Sequence, residues 1–386
     1  MSYKYNSPVA VQPCETYEAN AIYPILRRCF ADLGIGEETV RGKKILLKAN
    51  LVMAKKPESA ATTHPAVAEA CARVLAELGA AEIVLADSPG GPFSAPALAA
   101  VYKTCGMAAL EGVHGIRLND DFTFRSVFFK EGAVLKNFRI INAVAEADVL
   151  INLCKLKTHT LTGFSCAVKN VFGVIPGVEK FEMHATFPTV DAFSEMLNDL
   201  NAYLLREKTC LSLCDAIIGM EGNGPTHGTP KKAGLLLLSR SPYALDAVAE
   251  HIAGLDGVAK MLDIGAERGY CDRDYRNIEV VGMTEYPVYQ FEKPATAKKT
   301  FLQNLPNFMG GRFARFLEAK PSVDPKKCVG CGVCVRSCPK HTITVNEKKK
   351  LAVIDRSECI KCYCCQELCP AGAVKTKQNP VIKLIH

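Results

Sequence analysis

CVGCGVCVRSCP, Cys328–Pro339, is repeated as CIKCYCCQELCP, Cys359–Pro370. Each copy has the spacing C-x2-C-x2-C-x3-C-P, and every ligand position is displaced by 31 residues between copies. Two-residue gaps let three thiolates wrap one iron–sulfur cube. The fourth, set further on and held by proline, reaches the cube of the other copy. The spacing therefore predicts two 4Fe–4S clusters, one on Cys328, Cys331, Cys334 and Cys369, the other on Cys359, Cys362, Cys365 and Cys338. Structural zinc would use two separated C-x2-C pairs or add histidine, and this spacing does neither. Cys364 is an extra thiol inside the second loop and is read as a non-ligand.

Outward from these loops, the strand-like TITV and LAVID flank a polar NEKKK turn. The segment from about Pro321 to Gln378 resembles a bacterial two-cluster ferredoxin, which implies a small α+β domain over 321–386 and a redox partner protein. Residues 286–320 read as a basic, proline-punctuated connector. Phe301, Leu305, Phe308, Met309, Phe313 and Phe316 give it an apolar stripe suited to packing between domains.

The formal net charge of +7 is uneven. From Tyr286 onward there are 18 Lys/Arg against 7 Asp/Glu, whereas residues 1–285 hold 29 against 33. The basic surplus therefore surrounds the clusters, where cations offset the charge of thiolate-bound iron. No recognition helix or aromatic ladder accompanies it, so nucleic acid is not expected as a partner. Eighteen cysteines less eight ligands leaves ten, scattered through apolar runs as ordinary buried thiols. Clusters and free thiols both suit a reducing compartment. With no apolar run of membrane-spanning length and no signal-like start, a cytoplasmic protein without a transmembrane segment is expected. A homodimer is compatible with the sequence.

Residues 1–285 read as an α/β domain, with residues 1–40 as a lead-in containing one helix. GKKILLKANLV, AEIVLAD, ADVLINLCKLKTH and TCLSLCDAIIGME are apolar strands separated by helical patterns such as THPAVAEACARVLAELG. That alternation predicts a mostly parallel sheet covered by helices, folding as a core of its own. Residues 112–142 read as an antiparallel excursion. Ligands of such sheets bind beyond the carboxyl ends of the strands. Lys48, Asn50, Asp87, Asn170, Asp215 and Glu221 fall there as candidate substrate- or cofactor-binding residues. Lys155, Lys157, His159, Lys169 and His184 add cationic and proton-donating groups in unusually apolar surroundings, and of these Lys155, His159, Lys169 and His184 are the catalytic candidates. No dinucleotide fingerprint, Walker motif, G-x-S-x-G or H-E-x-x-H occurs.

ANLV, ATTHPAVAEA, INLCKLKTHTLTGFSCAVKNVFGVIPG, DAIIGMEGNGP and ALDAVAEHIAG resemble the motifs of the domain-of-unknown-function 362 family. HTLTGFSCAVK is also similar, more weakly, to a segment of the nickel-pincer lactate racemase family. That resemblance implies a cofactor-anchoring role for Lys169, a catalytic role for His159 and a metal-binding role for His184. Cys166, Ala167 and Val168 stand where that family has Gly-Gly-Arg, which weighs against a pincer cofactor.

These features lead to an expected ferredoxin-coupled, anaerobic oxidoreductase acting on a small anionic substrate. A further cofactor in the α/β domain is left open, and the substrate is not legible. Two alternatives stand beside it: an electron carrier with a docking domain, and a racemase- or isomerase-like enzyme with structural clusters. Additional nickel or an organic chromophore would separate them.

Overall fold

Apolar runs far apart in the chain become neighbours in one sheet. The computed structural model describes residues 3–297 and 319–377. Its first strands are β1 (Val9–Pro13), β2 (Lys44–Lys48), β3 (Glu82–Ala86) and β4 (Ile116–Leu118). There follow β5 (Phe124–Phe128), β6 (Asn137–Ile141), β7 (Val149–His159), β8 (Gly163–Ser165), β9 (Thr209–Glu221), β10 (Thr229–Ser239) and β11 (Val280–Gly282). The sheet order is β11-β1-β10-β9-β7-β2-β3-β4, with β8 folded back on β7. The stretch β9-β7-β2-β3-β4 is parallel throughout. The hairpin β5–β6 stands apart as an antiparallel pair.

Both faces are covered, as a parallel sheet requires. Every residue of β7 is buried. Leu150, Cys154 and Leu156 join one core, under the helices Val190–Glu207 and Pro242–Ile252. Val149, Ile151 and Leu153 join the other, under Ala19–Asp32, Pro65–Glu77 and Ala95–Cys105. The helix Pro65–Glu77 begins with proline in its first turn, and the His64 side chain accepts from Ala66 N at 3.2 Å as its cap. It stops where Gly79 takes φ +84°, a conformation open to glycine at little cost.

Residues 1–40 are more than a lead-in. β1 lies inside the sheet, antiparallel to β10 and parallel to β11, with Val9 opposite Ser239. A five-residue strand paired with a segment so distant in the chain leaves no local signal. β10 also runs antiparallel to β9, so one side of the otherwise parallel sheet is mixed.

The second domain pairs β12 (Lys320–Val323) with β15 (Val374–Lys377), and β13 (Ile343–Asn346) with β14 (Leu351–Ile354), all antiparallel. The short helices Val333–Arg336 and Cys364–Glu367 carry the third cysteine of each loop. The apolar stripe from Phe301 to Phe316 lies outside the described residues. Among the described residues, no helix is long and apolar enough to cross a membrane.

Candidate active site between the two domains

Three strand ends build one polar chain. Lys48 at the end of β2 donates to Asp87 Oδ1 at 2.7 Å, to the Ala49 carbonyl at 2.7 Å and to Asn170 Oδ1 at 3.4 Å. Asp87, just past β3, also accepts from Leu51 N and Ser88 N. Asn50 donates to Asn170 Oδ1 at 2.8 Å and accepts from Lys157 Nζ of β7 at 2.8 Å. Gly173 closes over this chain, because a Cβ there would fall 2.2 Å from Asp87 Oδ1 and 2.5 Å from Lys48 Nζ.

Above it lies a cleft of about 640 Å³, counting the space at its mouth. Lys48, Asn50, Asp87, Lys157, His159, Lys169, Asn170, Lys180 and His184 line it from the α/β domain. Cys364, Glu367 and Leu368 line it from the second cysteine loop. Lys48 is neutralised by Asp87, but Lys157, Lys169 and Lys180 form no ion pair among the described residues. Lys180 Nζ donates to Ser88 Oγ at 3.1 Å and to the Ile175 carbonyl at 2.5 Å. Lys169 has no hydrogen-bond acceptor there; its ammonium stands 4.7 Å from the Phe172 ring centre.

Burial pushes the ammonium groups of Lys157 and Lys180 down to about 7 and lowers that of Lys169. Glu367 opposes the shift at Lys157 and Lys169. Burial, and then the charge of Lys169, lowers His184 to about 3 and holds His159 well below its ordinary value. Both imidazoles are therefore neutral near pH 7. His159 Nδ1 accepts from Leu161 N at 3.0 Å and Thr162 N at 3.4 Å, which puts the proton on Nε2. That Nε2 is buried without a hydrogen-bond partner, 4.0 Å from Glu367 Oε2. His184 Nδ1 is likewise unpartnered, with its ring stacked on Phe193 at 4.5 Å. Unpartnered buried polar atoms beside a cleft are what a ligand would satisfy.

Three of the residues expected here lie elsewhere. Lys155 Nζ donates to Asp215 Oδ2 at 2.8 Å and to Tyr17 OH at 2.8 Å, and Tyr17 OH donates to Asp215 Oδ1 at 2.8 Å. His64 N at 3.0 Å and Ile217 N at 3.4 Å also donate to Asp215. Lys155 is thus held in a sealed ion pair away from the cleft, not among the catalytic candidates. The register explains this: Lys155 pairs with Asp215 but Lys157 with Met220, so β9 bulges between them. Glu221 accepts from Glu292 N and faces Lys231 at 3.5 Å, also outside the cleft.

Ser88, Lys180 and Glu367 line the cleft as well but were not among the named site candidates. A signal for Lys180 existed, since it lies four residues before His184 on the helix Glu179–Thr186. Glu367 gave none, because its approach to His159 depends on how the domains dock. That docking is specific. Thr226 Oγ1 donates to the Glu367 carbonyl at 2.7 Å, Gln366 donates to the Asn223 carbonyl at 3.1 Å, and His227 Nε2 meets the Cys369 carbonyl at 3.0 Å.

The cysteine loops line two smaller hollows. Cys328, Cys331, Cys334 and Cys369 line one of about 340 Å³, counting the space at its mouth. Cys338, Cys359, Cys362 and Cys365 line the other, of about 330 Å³ counted the same way. Backbone N–H groups of Ala352, Ala373 and Thr342 point at Cys328, Cys369 and Cys338 sulfurs at 3.2–3.4 Å. Four sulfurs per cavity, with amides aimed at them and no carboxylate in the lining, fit iron–sulfur clusters. Cys364 lines neither cavity; it faces the cleft.

Comparison with known proteins agrees with this division. Residues 327–373 match the profile of the 4Fe-4S dicluster domain. A thylakoid-associated protein of Synechocystis sp. is 32% identical over 256 residues, covering 64% of this chain and 75% of that protein. Two solved structures show a distant likeness. One is a protein from Thermotoga maritima (15% identity, TM-score 0.39, covering 66% of this chain and 60% of that one). The other is the lactate racemase apoprotein from Thermoanaerobacterium thermosaccharolyticum (14%, TM-score 0.37, 67% and 59%). The chain thus spans about three-fifths of each of these structures. Residues 45–251 match the profile of the domain of unknown function 362, and the chain belongs to that family.

Proposed function

We propose that this chain is an iron–sulfur oxidoreductase in which two 4Fe–4S clusters supply low-potential electrons, one at a time, to a small anionic substrate or cofactor in the cleft. One observation carries this reading: the second cysteine loop is itself a wall of the cleft. Cys364, between Cys362 and Cys365 in sequence, faces the same space as Lys157, Lys169 and His159. An electron leaving that loop would have no intervening protein layer to cross.

The chain's own residues support the chemistry. Lys157, Lys169 and Lys180 face one remaining carboxylate, Glu367, so the cleft favours an anion and stabilises negative charge that grows on reduction. The Nε2–H of the neutral His159 is placed to hydrogen-bond negative charge as electrons arrive, and Lys157, whose ammonium is held at about 7, can deliver a proton to the bound molecule. Phe172 and Leu368 exclude water from one side. A separate redox protein would load the cysteine-loop domain.

The test uses anaerobically reconstituted, chemically reduced full-length protein and a panel of carboxylate, phosphate and sulfur oxyanions. Reoxidation is followed by visible absorbance. At least one anion should reoxidise the wild type, and Lys169→Ala should slow it by about 10²–10³-fold, the cost of losing one such donor. Iron content and the paramagnetic resonance of the reduced protein should stay unchanged. His159→Ala should behave alike. A wild type that keeps its electrons against the whole panel, or a Lys169→Ala protein as fast as wild type, would overturn this function.

A further inference from the structure

Three of the cysteines outside the cysteine loops do not lie scattered through the core. Cys154 on β7, Cys214 on the adjoining β9 and Cys166, just before the short helix Ala167–Asn170, come together fully buried. Cys166 Sγ is 3.4 Å from Cys154 Sγ and 3.3 Å from Cys214 Sγ. All three sulfurs lie within 4.8 Å of one another, and among the described residues no other group of three potential ligands converges this way. Register explains part of it, since Cys154 and Cys214 are direct partners across the parallel ladder. The third thiol arrives from a different element. Asp246, on the helix Pro242–Ile252, lies next to Cys166 and is held by Ala167 N at 2.6 Å and Val168 N at 2.9 Å.

We infer that Cys154, Cys166 and Cys214 form a three-sulfur metal site for one thiophilic closed-shell ion, Zn²⁺ or Cu⁺. Three sulfurs without a histidine select soft or borderline ions over Mg²⁺, Ca²⁺ or Mn²⁺. Around an ion with bonds of about 2.3 Å, tetrahedrally placed sulfurs are roughly 3.8 Å apart, so the two contacts at Cys166 need spread by only a few tenths of an ångström. Binding forms metal–sulfur bonds and releases the thiol protons, with no electron transferred. The site is separate from the cleft, none of whose lining residues is one of these three cysteines. It would tie β7, β9 and the turn carrying Lys169 together from beneath.

The experiment is metal analysis of reconstituted full-length protein after exhaustive dialysis, for wild type and Cys166→Ser, with iron measured in the same samples. About one zinc or copper per chain should remain in the wild type and be lost in Cys166→Ser, with iron unchanged. Which metal remains identifies the ion. An ion that persists in Cys166→Ser sits on the cysteine loops instead and overturns the proposal, as does a wild type with no such metal after Zn²⁺ and Cu⁺ loading. Should Cys166→Ser not fold, X-ray absorption of the wild type decides. Three sulfurs at about 2.3 Å, alone or with one oxygen, support the site, and four sulfurs or none refute it.

Discussion

Lys155 and Lys157 are two residues apart on one strand, both almost wholly buried, and meet opposite circumstances. Lys155 is locked to a carboxylate, a phenol and nothing exchangeable. Lys157 has only neutral acceptors, Asn50 Oδ1 and the Ala61 carbonyl, and opens on the cleft beside Lys169. A bulge in β9 separates the two fates. The contrast teaches that burial does not make a lysine functional. What matters is whether the protein supplies its counter-charge or leaves that to a ligand.

The contrast breaks hardest at the ion pair. Lys155→Met leaves the Asp215 carboxylate buried without its cation and should cost about 3–5 kcal/mol of folding stability. Lys169→Met breaks no ion pair and should leave stability unchanged or raise it. Denaturant unfolding of both variants checks this, and equal losses would erase the distinction. Next in size is Gly173→Ala, whose Cβ would collide with the Lys48–Asp87 pair. It should destabilise by about 1–3 kcal/mol and weaken anion binding, since the pair holds Asn170 in place.

The smallest effect is a matter of pH. Burial holds Lys157 and Lys180 at about 7, below their value near 10.4 in an unfolded chain. Between about pH 7 and 10 the unfolded chain therefore binds more protons, so these groups make folding stability rise with pH across that window. Anion affinity runs the other way and should drop about tenfold from pH 6 to pH 8, as a binding lysine with a value near 7 loses its proton. Sulfate, whose charge is fixed in this range, is a suitable probe by calorimetry. Comparing wild type with Lys180→Met isolates the group. Parallel trends of stability and affinity would contradict the picture.

Much of this was legible before any coordinates. The parallel strands announced themselves as apolar runs between helical patterns, and the strand-end rule put Lys48, Asn50 and Asp87 at the sheet edge where the structure opens a cleft. Lys169, His159 and His184 converge on that space as well. What was not legible depended on distant partners. Nothing near Lys155 tells that Tyr17, 138 residues earlier, will cap it. Nor does the sequence around β1 show its pairing with β10. Three thiols in separate apolar runs look like ordinary core residues until strand register sets two of them side by side.

The docking contact at Gly90 has a consequence for how such a molecule can change. A Cβ on Gly90 would fall 2.6 Å from Leu368 Cδ2, so the loop after β3 and the second cysteine loop are in close contact and a larger residue there would displace the Leu368 side chain. The cleft therefore has two owners, and neither domain encodes it alone. Under the proposed function, grafting in a foreign ferredoxin with the same cysteine spacing would preserve the cluster ligands yet reshape the cleft, altering which molecule is accepted. Specificity would then be inherited jointly: a larger side chain on one partner must be answered by a smaller one on the other.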